Sequence, residues 1–133
     1  FETSDPIRQR ETGGKTSNEE LARAIIHLKR AGYRSRDIGI YILCGLPGQS
    51  ADEVLESIRL VQSYGGSPII AEYSPIPGTG LWLDAVASSL YPIAEEPLFQ
   101  NNTLLPCKSP SLTDPVYQEL KRMTHIPPQR KEA

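Results

Sequence analysis

The strongest constraint in this chain is an alternation of short apolar runs with capped amphipathic stretches. Thr16 and Ser17 each have a glutamate three residues on, Glu19 and Glu20, ahead of the apolar series Leu21, Ala24, Ile25, Leu28. At that spacing a hydroxyl and a carboxylate cap each other's backbone N–H groups, so a helix is expected from about Asn18 to Ala31, stopped by Gly32. Ile38 to Leu43 is β-branched and aromatic without polar alternation, the pattern of a strand covered on both faces. Ser50 and Glu53 repeat the capping pair, Val54, Leu55, Ile58 and Val61 form the stripe of a second helix, and Gly65 and Gly66 close it. Pro68 then precedes "IIAEYS", another strand candidate, and the opening "FETSDP" reads as the end of a strand running into a turn. The order strand, helix, strand, helix, strand argues for βαβ units in a parallel α/β sheet or barrel. Three strands are too few to close a barrel alone.

The pattern weakens after "SPIPGTGLW". Residues Leu81 to Leu90 suit a short helix, and Thr113 followed by Asp114 and Pro115 suits the start of another through "VYQELKRM". The tail "THIPPQRKEA" is expected to fray. Seven of the twelve prolines fall from Pro92 onward, which marks an irregular C-terminal third. The expected division is therefore a βα region over residues 1–85 and an irregular, partly helical extension over 86–133. The chain opens on Phe1 at what reads as a strand end, so a fragment of a longer protein is expected.

Charge narrows the functional classes. Fourteen Lys and Arg against sixteen Asp and Glu give a net charge of −2, and the basic residues are scattered, so there is no nucleic-acid footprint. No apolar run approaches the roughly 20 residues that span a bilayer, and no signal-peptide pattern opens the chain, so a cytoplasmic protein without membrane contact is expected. Cys44 and Cys107 lie far apart and form no CxxC pair; they read as buried small hydrophobes. His27 and His125 have no partner at ligand spacing, so no metal site is expected within the chain.

In α/β architectures ligands collect at the C-terminal ends of parallel strands. Here those ends are "ETSDP", "CGLPGQS" and "YSPIPGT", each rich in turn formers and small polar groups, although ordinary βα loops share that chemistry. "GGKTS" imitates the end of a phosphate-binding loop, but Gln9 stands where its first glycine belongs; "GLPGQS" lacks the lysine. Of the carboxylates Glu2, Asp5, Asp52 and Glu72, only Glu2 and Glu72 lie in or near expected strands, where a ligand contact is reasonable. Trp82, Tyr91 and Phe99 suit core anchors better than a pocket lining.

Read together, "FETSDP", "IYILCGLPGQSADEV" and "AEYSPIPGTGLW" resemble the second half of a radical S-adenosylmethionine domain, in the order and spacing of its fourth, fifth and sixth strand ends. The resemblance covers about residues 1–85. It implies a fragment of a partial (β/α)6 TIM-like barrel holding S-adenosylmethionine and a 4Fe-4S cluster, in an oxidoreductase that generates a 5'-deoxyadenosyl radical. The cofactors supply that chemistry and the protein orients them. By the same resemblance Glu2 and Ser4 contact the ribose or methionyl group, Leu43, Cys44 and Gly45 flank the adenine, and Ser74, Pro75 and Ile76 touch it by backbone. Gly45 would let a flat ring lie on the backbone.

Two departures from the family pattern matter. The CxxxCxxC loop is absent, so the cluster ligands are expected in a missing N-terminal half and the chain is expected to be inactive alone; Gly48 stands where the family carries a glutamate. Catalytic residues and substrate, small molecule or macromolecule, are not encoded here. The alternative reading is a self-contained, non-catalytic βα binding or interaction module, and an upstream reading frame with CxxxCxxC would discriminate the two. An unpaired edge at residues 1–5 also offers a route to self-association.

Overall fold

A computed structural model describes residues 1–126. Five α-helices and two strands follow in the order α1 (Pro6–Glu11), α2 (Asn18–Arg30), β1 (Gly39–Cys44), α3 (Ala51–Tyr64), β2 (Ser67–Glu72), α4 (Trp82–Ser88) and α5 (Asp114–Thr124). Single 3-10 turns occupy Ser35–Asp37, Pro97–Gln100 and Asn102–Leu104. The expected fraying of the tail falls mostly on residues 127–133, which lie outside the described residues.

Local capping decides where the helices begin. Of the two overlapping candidates before α2, Ser17 caps: its Oγ accepts from Glu20 N at 3.2 Å while the Glu20 carboxylate accepts from Ser17 N at 2.8 Å. Ser50 Oγ likewise accepts from Glu53 N at 3.2 Å at the head of α3, but the Glu53 side chain does not reach back. Arg8 holds it instead, with Nε 2.7 Å and Nη2 3.1 Å from the two carboxylate oxygens. Thr113 caps α5, with Pro115 in its first turn. Helix α1 is not among the expected elements: Asp5 Oδ1 accepts from Ile7 N and Arg8 N, and Pro6 supplies a helical φ in the first turn.

β1 and β2 pair in parallel with Tyr41 opposite Ile69 and Cys44 opposite Glu72, joined by α3 as one βαβ unit. The strand expected at Phe1 is corrected: residues 1–5 form no strand, and Glu2 O accepts one bond from Leu43 N at 2.8 Å. That single rung still places Glu2 beside the C-terminal end of β1.

The larger core lies on one face of the sheet. Ile42 and Cys44 are fully buried with Val54, Ile58 and Val61 of α3, Leu21 and Ile25 of α2, and Leu112 and Leu120 around α5. Strand side chains alternate between faces, so Tyr41, Leu43, Ile69 and Tyr73 occupy the other. Its C-terminal end is covered by a second core, in which Leu46 and Tyr73 meet Ala85, Ile93 and Cys107, with Leu43, Leu81, Trp82, Tyr91 and Phe99 packed around them. Tyr91 and Phe99 stack with centroids 5.1 Å apart, so these aromatics act as core anchors. At its N-terminal end the same face stays open, leaving Tyr41 63 % and Ile69 41 % exposed. The expectation of a strand buried on both faces is thus corrected, because the helices gather on one face and the chain after β2 covers only part of the other. Residues after 85 share both cores through Ile93, Cys107, Leu105, Leu112 and Leu120.

Among the described residues no helix is long and apolar enough to cross a membrane.

Candidate functional site

Three segments leave the same end of the sheet. Glu2 is bonded to Leu43, Tyr73 N donates to Cys44 O at 2.9 Å, and Arg8 Nη1 donates to Pro47 O at 3.1 Å. The ends "ETSDP", "CGLPGQS" and "YSPIPGT" therefore converge at one rim, and Ser4, Gly45 and Ser74 all lie past the last rungs of the parallel ladder.

The turn from Gly45 to Ser50 is organised by a residue the motif reading passed over. Gln49 is 1 % exposed. Its Oε1 accepts from Gly45 N at 2.9 Å and Leu46 N at 3.2 Å, and its Nε2 donates to Leu43 O at 3.0 Å. One amide thus satisfies two buried N–H groups beyond the ladder together with the carbonyl of Leu43 in β1. Gly45 and Gly48 take φ values of +91° and +71°, a region that penalises any side chain. The restricted shape of "CGLPGQ" is the shape that lets Gln49 turn back on the strand end; a buried amide one residue before a helix N-cap is the signal that could have revealed it.

Around this turn the polar side chains are already engaged. Ser4 N and Oγ both meet Ser57 Oγ, at 2.9 and 3.0 Å, and Ser57 donates onward to Glu53 O. Buried Thr3 receives Asp5 N on its hydroxyl, and Gln9 Nε2 donates to Thr3 O and Asn18 Oδ1. The Glu2 carboxylate lies 3.5 Å from Lys15 Nζ. Ser74 Oγ donates to Gln100 O at 2.6 Å; Pro75 is buried and Ile76 is 57 % exposed. Gly14-Lys15-Thr16 sits between α1 and α2, with no strand leading into it.

Gly45 is buried, and what covers it comes from the extension. A Cβ built on Gly45 would lie 2.9 Å from Leu105 Cδ2. Leu105 is 5 % exposed and has φ +46°, the one positive value at a non-glycine among the described residues. That conformation costs about 1 kcal/mol. A flat ring approaching Gly45 from this side would have to displace Leu105.

The two thiols and the phenols of Tyr73 and Tyr117 favour their neutral forms, whereas the bond to Glu53 holds Arg8 more firmly charged. Cys44 is fully buried, and its thiol is pushed up from 9.0 to about 12, by burial first and by neighbouring Glu72 second. Glu72 accepts the Tyr117 hydroxyl, and burial followed by that bond raises the Tyr117 phenol. Burial likewise raises Cys107, whose Sγ faces Ala85 O at 3.6 Å. Tyr73 is 9 % exposed and its phenol is raised chiefly by burial. Its hydroxyl is the one buried side-chain polar atom without a hydrogen-bond partner among the described residues. Cys44 and Cys107 belong to different cores, and no three His, Cys, Asp or Glu among the described residues gather around a common point. Two buried thiols held protonated do not fit an iron–sulfur cluster, which needs thiolates.

The Cys44 shift has a stability consequence. In the unfolded chain the thiol ionises near 9.0, whereas in the fold it stays protonated until about 12, so between these values the unfolded state binds fewer protons. Stability is complete below pH 9.0 and falls as pH rises toward about 12, by about 1.4 kcal/mol per pH unit for this group. Urea midpoints across that window should decline, and Cys44→Ala should make the decline shallower, most clearly below pH 10.0 where the tyrosines do not yet contribute, leaving the part due to Cys107, Tyr73 and Tyr117. Parallel declines in both proteins would refute the assignment.

No family model, curated protein or solved structure matches this chain.

Proposed function

We propose that the chain is the C-terminal part of a radical S-adenosylmethionine enzyme, contributing adenosyl-binding loops and no cluster ligands. The observation that carries the reading is the meeting of "ETSDP", "CGLPGQS" and "YSPIPGT" at one end of a parallel sheet, which is where α/β folds bind ligands. In this reading Glu2 and Ser4 face the ribose or methionyl end, Leu43, Cys44 and Gly45 flank the adenine, and Ser74, Pro75 and Ile76 border it. The sulfonium and an external 4Fe-4S cluster supply the redox chemistry. This chain's residues bind and orient: Leu43 offers an apolar wall, Gly45 a side-chain-free backbone, and Gln49 holds the turn in shape.

The open N-terminal part of the second sheet face supports a larger assembly, such as the partial (β/α)6 barrel, because parallel sheets are ordinarily covered on both sides. A cytoplasmic enzyme is the setting that fits this reading.

A second reading, a self-contained binding or interaction module without catalysis, is favoured by one observation: the Ser4 and Ser74 hydroxyls are bonded within the chain. Titration calorimetry with S-adenosylhomocysteine separates the two. The enzyme reading expects saturable binding that Gly45→Ala weakens in protein whose circular dichroism spectrum shows it still folded; no binding by the chain, alone or joined to a CxxxCxxC-bearing partner half, would refute it.

A further inference from the structure

Between two anchored points the extension crosses the rim as a short strap. Phe99 is fixed by stacking on Tyr91, and Pro106 and Cys107 are buried. The intervening residues 101–104 are all exposed. The strap's own backbone bonds are local: Leu104 N donates to Asn101 O at 3.1 Å and Leu105 N to Asn102 O at 3.0 Å. Asn101 Oδ1 accepts from both Thr103 N and Thr103 Oγ1. The segment is therefore held in shape by itself.

To the rim itself it is tied at two places, while Gln100 Nε2 also donates to Ile93 O at 2.9 Å and Lys108 N to Leu105 O at 3.1 Å. Ser74 Oγ donates to Gln100 O, and the Leu105 side chain lies over Gly45. The second fastening is strained, since Leu105 must take a left-handed φ of +46° to deliver its side chain. Lifting the strap breaks no rung of the sheet and no helical bond. It uncovers the Gly45 backbone, whose N–H stays tied to Gln49.

We propose that residues Gln100–Leu105 are a gate: a closed strap that opens as a unit, without global unfolding, and so controls access to the Gly45 turn. Its ligand, resting on the function proposed above, is an adenosyl group. The strap occupies the place of the ring in the closed state, so apparent affinity falls by the fraction of molecules that are open.

Hydrogen exchange resolved to single amides, on the full 133-residue chain, tests the gate without reference to any ligand. The Leu105 amide should exchange through an opening at least about 100-fold more frequent than the one exposing Ile42 and Ile58, as expected of a sub-global unit. Leu105→Gly, which suits the φ but also removes a side chain from the core shared with Ile42 and Ile58, should raise that opening at least about tenfold more than it raises exchange at Ile42 and Ile58. Ser74→Ala, which removes the other fastening and leaves Leu105 in place, should raise it about fivefold. Equal protection at Leu105, Ile42 and Ile58 in wild type, or variants that accelerate all three alike, would overturn the gate. S-adenosylhomocysteine added to the same proteins tests the ligand: binding at least about tenfold tighter to Leu105→Gly than to wild type supports adenosyl gating. Opening with no binding to either protein would leave the strap standing and end the adenosyl assignment.

Discussion

Gln49→Leu should lower the unfolding free energy by about 4 kcal/mol, the largest loss expected from any single polar substitution in this chain. Leucine keeps most of the volume, so the cost is not a cavity. It is the orphaning of Gly45 N, Leu46 N and Leu43 O, each of which now meets one Gln49 atom in a site that is 1 % exposed. An unmade bond at a buried backbone group costs about 1–3 kcal/mol, and relaxation of the turn recovers part of the sum. Gln49→Glu separates the two halves of the amide. A carboxylate still accepts from Gly45 and Leu46 but faces the Leu43 carbonyl without a proton to donate. The glutamate variant should therefore lie between wild type and leucine at neutral pH and recover toward wild type as acid protonates it. Urea denaturation followed by circular dichroism reads both, with the slope unchanged if the unfolded state is unaffected. A leucine variant within about 1 kcal/mol of wild type would mean that the turn does not depend on the amide.

Gly45→Ala should cost about 3 kcal/mol, from two separable sources. The φ of +91° penalises any Cβ by about 1–2 kcal/mol. The new methyl would also stand 2.9 Å from Leu105 Cδ2, a contact that forces a core adjustment worth about 1–3 kcal/mol. Gly48→Ala in the same turn supplies the comparison: its φ is +71°, but nothing lies within 4 Å of the added carbon. That variant should pay the conformational part alone, about 1 kcal/mol. Combining Gly45→Ala with Leu105→Ala removes the crowding, so the double variant should be more stable than the sum of the singles implies, by about 1 kcal/mol. Strict additivity would show that Leu105 does not press on Gly45.

Most of the helical framework was legible because its signals are local. Ser17 with Glu20, Ser50 with Glu53 and Thr113 with Pro115 mark the starts of α2, α3 and α5, and Gly32 and Gly65 take the left-handed φ that ends the first two. Asp5 followed by Pro6 carries the same kind of signal for α1, overlooked because the segment reads equally well as the exit from a strand. Glu53 illustrates the limit of such signals. Its spacing from Ser50 matches a reciprocal cap, yet a guanidinium 45 residues away offers a bidentate partner and takes the carboxylate.

The candidate site divides along the same line. Parallel pairing of two apolar runs through a helix is written in the sequence, and it is enough to bring "CGLPGQS" and "YSPIPGT" to one end of a sheet. What occupies that rim is not. Ser4 finds Ser57 across 53 positions, and Ser74 finds the Gln100 carbonyl across 26. The open face at Tyr41 and Ile69 was equally hidden, since an apolar run states that a strand can be buried without stating what buries it.

By itself, then, the sequence determined the helices, their caps, and the α/β rhythm, because caps and periodicities act within a few residues along the chain. Tertiary structure alone decided that residues 1–5 give one rung instead of a strand, that Gln49 ties the turn, and that Leu105 covers Gly45. Each of these depends on which groups meet in three dimensions: a backbone N–H or a bare glycine accepts whatever partner folding brings closest, and chain spacing does not record it.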